Sequence, residues 1–343
     1  MVKTRQDFIA DPPAWLIDDW MPLEHRCMDT APEGSYKTIF GAWLAVCISA
    51  GLPVFGHSTY QGPVLIIDEE TPLTSLEFHL KRFAQGLGVS YRQLPIFVES
   101  MQGYKFNDKK SIKTIHNLID AINPVFVRID SLAAMSDEDS DRYGHLGKVL
   151  RDELAGFVSP KRAVMLAAHA KKFIADLTLD EMAKREMQTV VRGHGTLVGE
   201  ACDTGYMIKK IGEYPKPSRF CVITKPRRQA IPGGNLKFIE LVEEKYGSGW
   251  ARLEEIPASK LPPSDEAKEV YKLMKKATPA GNNKRTTGNI KQTCALLTQR
   301  ECKNAVKELL SHKAILIHDA QEYELNTKYK SAVDPDYLRE LES

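Results

Sequence analysis

A chain of 343 residues, 43% apolar and 27% charged, has the composition of a globular protein with about two domains of ~100–200 residues each. A formal net charge of only +2 excludes a molecule built as a uniformly basic coat for a polyanion, and no apolar run reaches the ~18 residues of a membrane span. The 6 cysteines, Cys27, Cys47, Cys202, Cys221, Cys294 and Cys302, form no C-x-x-C pair; this argues against a zinc site or a disulfide framework and fits reduced thiols in a cytoplasmic protein. Met1 to Asp11 is polar and the Trp15 to Met21 segment contains Asp18 and Asp19, so no secretory pattern is read there.

Residues 1–30 carry aromatic and apolar anchors among acids (Phe8, Trp15, Trp20 and Leu23) and read as an N-terminal arm packing on the core or on a neighbouring subunit. Ala31-Pro32-Glu33-Gly34-Ser35-Tyr36-Lys37-Thr38 then precedes an almost continuous apolar run from Ile39 to Ala50. This has the form of a phosphate-binding loop opening a buried helix, with Lys37 and Thr38 where G-x-x-x-x-G-K-[S/T] places its lysine and its metal-binding hydroxyl. Ala31 and Tyr36 replace the two glycines of that pattern, leaving Gly34 to supply the tight backbone. Glu33, Gly34, Ser35, Tyr36, Lys37, Thr38 and Ile39 are the candidate nucleotide contacts.

Val64 to Ile67, Val125 to Ile129 and Ala163 to Ala168 are short apolar runs ending in Asp68-Glu69-Glu70, Asp130-Ser131 and His169. Such runs suit strands buried on both faces of a parallel sheet, whose C-terminal ends carry ligand sites. Leu94 to Val98 is a further strand. Amphipathic helices are expected at 73–87, 109–122 and 143–157, and a short helix at 195–202. The charged segment from Lys171 to Gln188 reads as a helical, mobile insertion before Arg192-Gly193-His194-Gly195. Tyr206 to Lys210, Arg219 to Thr224 and Leu236 to Val242 suggest an antiparallel extension. The expected fold is α/β with a mostly parallel central sheet over residues 31–256.

A proline-bearing linker at 257–263 separates a different pattern at 264–334, with a tail at 335–343. Helices are expected at 264–277, 287–297 and 298–312, followed by a hairpin of Ala314 to Ile317 and Glu322 to Leu325. Three helices and a hairpin make a small winged-helix domain. Ser264 to Lys330 holds 13 Lys and Arg against 8 Asp and Glu, a net +5. Arg300, Lys303 and Lys307 on its third helix are candidate phosphate contacts to nucleic acid, although winged helices also bind proteins.

The order of these signals resembles the RecA-fold P-loop ATPases of the RepA-like hexameric helicase type, relatives of RecA, RadA, KaiC and the DnaB-type helicases, over residues 25–245. Gly34-Ser35-Tyr36-Lys37-Thr38 is similar to a form of the phosphate loop common in that family. The resemblance implies Glu70 as the catalytic acid, with Glu69 its competitor; Asp130 and Thr38 as Mg²⁺ ligands; and His169 in Ala168-His169-Ala170-Lys171-Lys172 as a γ-phosphate sensor. Lys225-Pro226-Arg227 is similar to the family's pair reaching across a subunit interface, with Arg228 competing with Arg227. Lys171, Lys172 and Arg192 would face nucleic acid. The resemblance further implies ATP, Mg²⁺ and a homo-oligomeric ring, most simply a hexamer, whose sites are completed by neighbours.

The leading expectation is therefore an ATP-hydrolysing motor of DNA replication or recombination, a ring helicase or translocase on single-stranded DNA. The alternatives are a recombination mediator on single-stranded DNA, or an ATP-gated regulatory module whose winged helix binds duplex DNA or protein. Nothing in the sequence marks a primase, a nuclease or a membrane protein.

Overall fold

The computed structural model describes residues 14–136, 154–177, 179–191, 202–211, 218–226, 236–245, 248–257, 265–276, 285–286, 299–311, 314–319 and 322–325, with single positions at 337 and 341. The chain divides into two compact units, residues 1–255 and 256–343.

The first unit is built on nine strands. Six are parallel: β3 (Arg26–Ala31), β4 (Val64–Asp68), β5 (Ile96–Ser100), β6 (Phe126–Asp130), β7 (Ala163–His169) and β8 (Thr204–Lys210). Three continue the sheet beyond β8: β9 (Ser218–Pro226), β10 (Leu236–Lys245) and β11 (Ser248–Ile256). The order across the sheet is β11-β10-β9-β8-β3-β7-β6-β4-β5, with the β8–β9 and β9–β10 pairs antiparallel. A small pair, β1 (Trp15–Ile17) and β2 (Met21–Pro22), precedes β3. The arm expected at residues 1–30 is thus corrected: Arg26–Ala31 is the central strand of the sheet, flanked by β7 and β8. β11 is likewise a strand that the sequence reading did not assign.

The inner parallel strands β4, β6 and β7 are buried on both faces, as their composition demands, whereas the edge strand β5 leaves Phe97 44% exposed. Along β4, Val64 and Ile66 enter one hydrophobic core while Leu65 and Ile67 enter the other. The first core holds α1 (Lys37–Ala50) and α2 (Leu73–Gly86); the second holds α3 (Lys109–Ile122). α1 is apolar nearly all round because it is enclosed: Phe40, Leu44, Val46 and Ile48 are all fully buried. It stops at Gly51, whose φ of 69° takes the left-handed cap conformation. α3 is conventionally amphipathic, burying Ile112, Ile115 and Ile119, and Asp108 caps it by accepting from the Lys110 and Ser111 amides.

The antiparallel end of the sheet wraps over α2. Arg82 donates to Glu243 Oε2 at 2.7 Å and to the Gly249 carbonyl at 3.0 Å, and Gly86 lies against the backbone of β11. A Cβ at Gly86 would sit 2.0 Å from the Ala251 carbonyl oxygen, a backbone atom with no rotamer to yield. Gly86→Ala is therefore expected to destabilise the unit by about 1–3 kcal/mol, despite alanine's better helix propensity. Chemical denaturation checks this.

In the second unit, the helix Asp265–Lys276 precedes β12 (Arg285–Thr286), the helix Gln299–Ser311, and the hairpin of β13 (Ile315–Asp319) and β14 (Glu322–Leu325). The sheet order is β12-β14-β13, with both pairings antiparallel. Val270, Met274, Cys302, Val306 and Leu309 form its core. The helix expected at 287–297 lies outside the described residues, as do the segments expected at 143–153 and 195–201.

Candidate functional site

The C-terminal ends of β3, β4, β6 and β7 converge, and each contributes polar groups. From β3 the chain turns through Pro32 to Tyr36 into α1. Gly34 has φ 73° and Tyr36 φ 65°, ψ 14°. Tyr36 thus occupies the left-handed conformation that a glycine would supply at the position before the lysine, at a strain of roughly 1–2 kcal/mol. Its ring is held by stacking on Phe220, centroids 5.3 Å apart and planes 20° from parallel. Tyr36 caps α1 without a side-chain hydrogen bond, and the first turn carries no acid. The amide dipoles at this end, unlike those of the Asp108-capped α3, face an anion site without an internal carboxylate competitor.

Lys37 is buried, and its Nζ lies 3.4 Å from His169 Nδ1 at the end of β7. An ammonium only donates, so Nδ1 accepts and the imidazole proton resides on Nε2. That nitrogen donates to Glu70 Oε1 at 3.0 Å. Ser131 Oγ donates to the same carboxylate oxygen. The hydrogen bond from His169, helped by Ser131, holds the Glu70 carboxyl below the usual glutamate range, so Glu70 is ionised at neutral pH. Glu69 is turned elsewhere: its two oxygens accept from the Gln102 amide at 3.2 Å and the Gly103 amide at 2.8 Å.

A second group of oxygens lies beside this row. Thr38 Oγ1 donates to Asp130 Oδ2 at 3.5 Å. Asp68 pairs in register with Asp130 across β4 and β6 and is buried. Hydroxyl and carboxylate oxygens are the donor set that Mg²⁺ takes. Among the described residues, no group of three or more His, Cys, Asp or Glu side chains is arranged to hold a metal. Thr38 and Asp130 therefore fit an ion that keeps its waters and shares the phosphates of a nucleotide, rather than one enclosed by protein.

Burial, and then the neighbouring Asp130 charge, push the Asp68 carboxyl up to about 6, against the pull of the Glu70 and Thr71 amides that it accepts. A carboxyl raised on folding favours the neutral fold: its stabilising effect is complete below pH ~4 and is lost as pH rises through 6. Ionised Asp68 then costs about 3 kcal/mol. Both amides donate to Oδ1, an atom that asparagine keeps. Asp68→Asn is expected to match wild type near pH 4 and to exceed its stability by up to about 3 kcal/mol at pH 7.5, measured by urea denaturation without divalent metal.

Beneath the loop lies a residue whose partners the sequence did not reveal. Residues 126, 128 and 130 of β6 face α1, as do residues 27, 29 and 31 of β3. Arg128, 2% exposed, therefore meets Asp29, 0% exposed, inside the core. Its Nη1 and Nη2 donate to Asp29 Oδ1 and Oδ2 at 3.2 and 3.1 Å, and Nη2 also donates to Asp130 Oδ2 and to the Lys37 carbonyl, each at 3.2 Å. Burial opposes the Arg128 charge, but Asp29 and Asp130 outweigh it and raise its pKa.

The remaining candidates lie elsewhere. Glu33 is exposed and Ile39 half-buried at the loop. Lys225, on β9, donates from Nζ to the Ala183 carbonyl of its own chain, and burial lowers its pKa. Lys171 and Lys172 follow β7 directly, with Lys172 exposed. Arg192, Arg227 and Arg228 lie outside the described residues, as do the side chains of Arg300 and Lys303; Lys307 is exposed on its helix.

A six-stranded parallel core extended by antiparallel strands, with a lysine–threonine loop after its central strand and acids at the ends of neighbouring strands, is an α/β arrangement of RecA-like fold with a phosphate-binding type of loop. The family described as AAA domain matches residues 3–173 of this chain. Among solved structures, the chain is similar to a KaiC-like protein of the hyperthermophilic archaeon Pyrococcus horikoshii, at 14% identity and a TM-score of 0.46, over 71% of this chain and 94% of that one. No curated protein matches it. Among the described residues, no helix is long and apolar enough to cross a membrane.

Proposed function

We propose that this protein binds and hydrolyses ATP as a nucleic-acid-associated motor of DNA replication or recombination, a cytoplasmic ring helicase or translocase assembled from copies of this chain. The observation that carries the reading is the row Lys37–His169–Glu70–Ser131, beside Thr38 and Asp130, along one edge of the sheet. Phosphoryl transfer chiefly needs positioned charge, and this edge offers it. Lys37 and the loop amides from Glu33 to Ile39 bind the phosphates. Thr38 and Asp130 would hold Mg²⁺, which neutralises phosphate charge when bound. Glu70, ionised and oriented by His169 and Ser131, polarises the attacking water. Because His169 joins Lys37 to Glu70, a phosphate that draws Lys37 away also changes the hydrogen bonding of the catalytic acid. That link supports His169 as the group reporting the γ-phosphate.

Lys225 and Arg227, or Arg228 in place of the latter, would complete a neighbour's site, and Lys225 must leave the Ala183 carbonyl to do so. Single-stranded DNA as partner is supported by exposed groups just beyond β7. Lys172 is exposed, Phe173 is 41% exposed, and the Arg185 guanidinium lies 5.1 Å from the Phe173 ring centroid. Aromatic faces and cations together are what unpaired bases and phosphates bind. In the second unit, the helix–strand–helix–hairpin order with sheet order β12-β14-β13 supports a winged helix, in which Lys307, with Arg300 and Lys303, contacts nucleic acid.

Steady-state ATP hydrolysis with Mg²⁺, with and without single-stranded DNA, tests the motor reading. Stimulation of about tenfold or more is expected, with hexamer-sized particles by mass measurement. Hydrolysis indifferent to DNA would sink the motor and leave a regulatory ATPase.

A further inference from the structure

We propose that Arg128 is a positioning residue for metal–nucleotide binding: one buried guanidinium fixes the first turn of α1 and the Asp130 carboxylate relative to each other. The inference rests on the ATPase reading above and extends it to a residue that touches neither phosphate nor metal.

Side chains alternate between the two faces along a strand. On β6 the face toward α1 carries Phe126, Arg128 and Asp130, and the register calls for an apolar residue at 128, where neighbouring Met165 and Phe126 pack. An arginine there is costly, since each ion taken from water loses several kcal/mol of hydration. Three features accommodate it. Asp29, equally buried, takes both guanidinium nitrogens bidentately. Met165 Sδ lies 3.2 Å from Nη1. Position 41 of α1 is glycine, and a Cβ there would sit 2.0 Å from Arg128 Nε and 2.4 Å from Cζ. The helix is hollowed where the side chain passes.

Asp29 alone would neutralise the charge. What the planar fork adds is the reach of Nη2, which donates to Asp130 Oδ2 and to the carbonyl of Lys37. The former is the oxygen that also accepts from Thr38 Oγ1; the latter belongs to the phosphate-binding lysine itself. The loop on β3 and the acid on β6 are separated in the sheet by β7, so strand pairing does not join them directly. Arg128 spans that gap beneath the site. A lysine at 128 would keep the charge but has no planar fork with which to hold a carboxylate bidentately and two further acceptors at once.

The test uses the full chain and a fluorescent ADP analogue, bound with and without Mg²⁺. Wild type and Lys37→Ala come first: if neither binds nucleotide, the ATPase reading fails, and that failure is visible before any variant of Arg128 is made. Given binding by wild type, Arg128→Lys and the paired Asp29→Leu/Arg128→Met variant are compared with it, with folding checked by circular dichroism. Loss of an outer-shell partner of a metal ligand lowers metal affinity by about 10–100-fold. The Mg²⁺ concentration giving half-maximal enhancement of ADP binding should rise by about tenfold or more in both, while metal-free ADP binding falls by less than about threefold. A half-saturation unchanged within about twofold in either folded variant overturns the proposal. So does failure of both to fold, which would assign Arg128 to the scaffold alone.

Discussion

Glu70→Gln is expected to lower ATP hydrolysis by roughly 10²–10⁴-fold, the scale of a lost general base, while nucleotide affinity stays within about threefold of wild type. Glutamine keeps the shape and an acceptor oxygen for His169 Nε2 and Ser131 Oγ, so the site stays folded around it, but it cannot accept a proton from water. Glu69→Gln is the internal control. Glu69 accepts the amides of Gln102 and Gly103, and its loss should alter hydrolysis by less than about threefold. Single-turnover hydrolysis with a parallel binding titration separates the two. Equal losses in both variants would mean that the acid was assigned to the wrong side of the strand end.

The largest effect on stability is expected from Arg128→Met made alone. It strands Asp29, which is fully buried with both oxygens committed to the guanidinium. Breaking a buried pair from one side costs about 3–5 kcal/mol, because the remaining charge has neither water nor partner. For a unit of this size that is a fall of roughly 6–20 °C in melting temperature. The paired variant Asp29→Leu/Arg128→Met removes both charges and should recover most of that loss, as apolar replacement of buried ion pairs often does. Thermal melts of the single and paired variants measure it. Equal destabilisation by both would show that packing around Gly41, rather than the charge, sets the cost.

These two residues also mark where the sequence was legible and where it was not. Glu70 ends an apolar run, and a run such as Val64-Leu65-Ile66-Ile67 announces a strand buried on both faces by composition alone. The same holds for Val125 to Ile129, for Ala163 to Ala168 and for the enclosed helix α1. β3 gave no such signal. Arg26-Cys27-Met28-Asp29-Thr30-Ala31 carries an arginine, an aspartate and a threonine, a composition that suits an arm, yet it is the central strand. Its polarity is acceptable in a core only because Asp29 meets Arg128, 99 positions away, and because Arg26 meets Asp203, which accepts from its Nε at 3.1 Å. No local window holds both partners. β11 was missed for the opposite reason: Ser248 to Ile256 alternates mildly and contains Gly249, and its role of covering α2 appears only when Arg82 and Gly86 are seen beneath it.

The site divides the same way. Lys37, Thr38, Asp130 and His169 stood at positions where a motif could be read. In the sequence, Ser131 is only a strand-end neighbour and Asp68 only the residue before two glutamates. Glu69 and Glu70 look alike in the sequence; they differ only once the loop at 102–103 is in place, whose amides hold Glu69 away from His169.

Equilibrium binding of a fluorescent ATP analogue to wild type and to Lys37→Ala decides whether the loop between β3 and α1 holds the nucleotide. One Mg²⁺-dependent site per chain is predicted for wild type, with affinity at least about 100-fold lower in the variant, the scale of a lost charged contact to phosphate. Equal affinity in the two proteins would contradict the account, because the loop between β3 and α1 would then not be where the nucleotide binds.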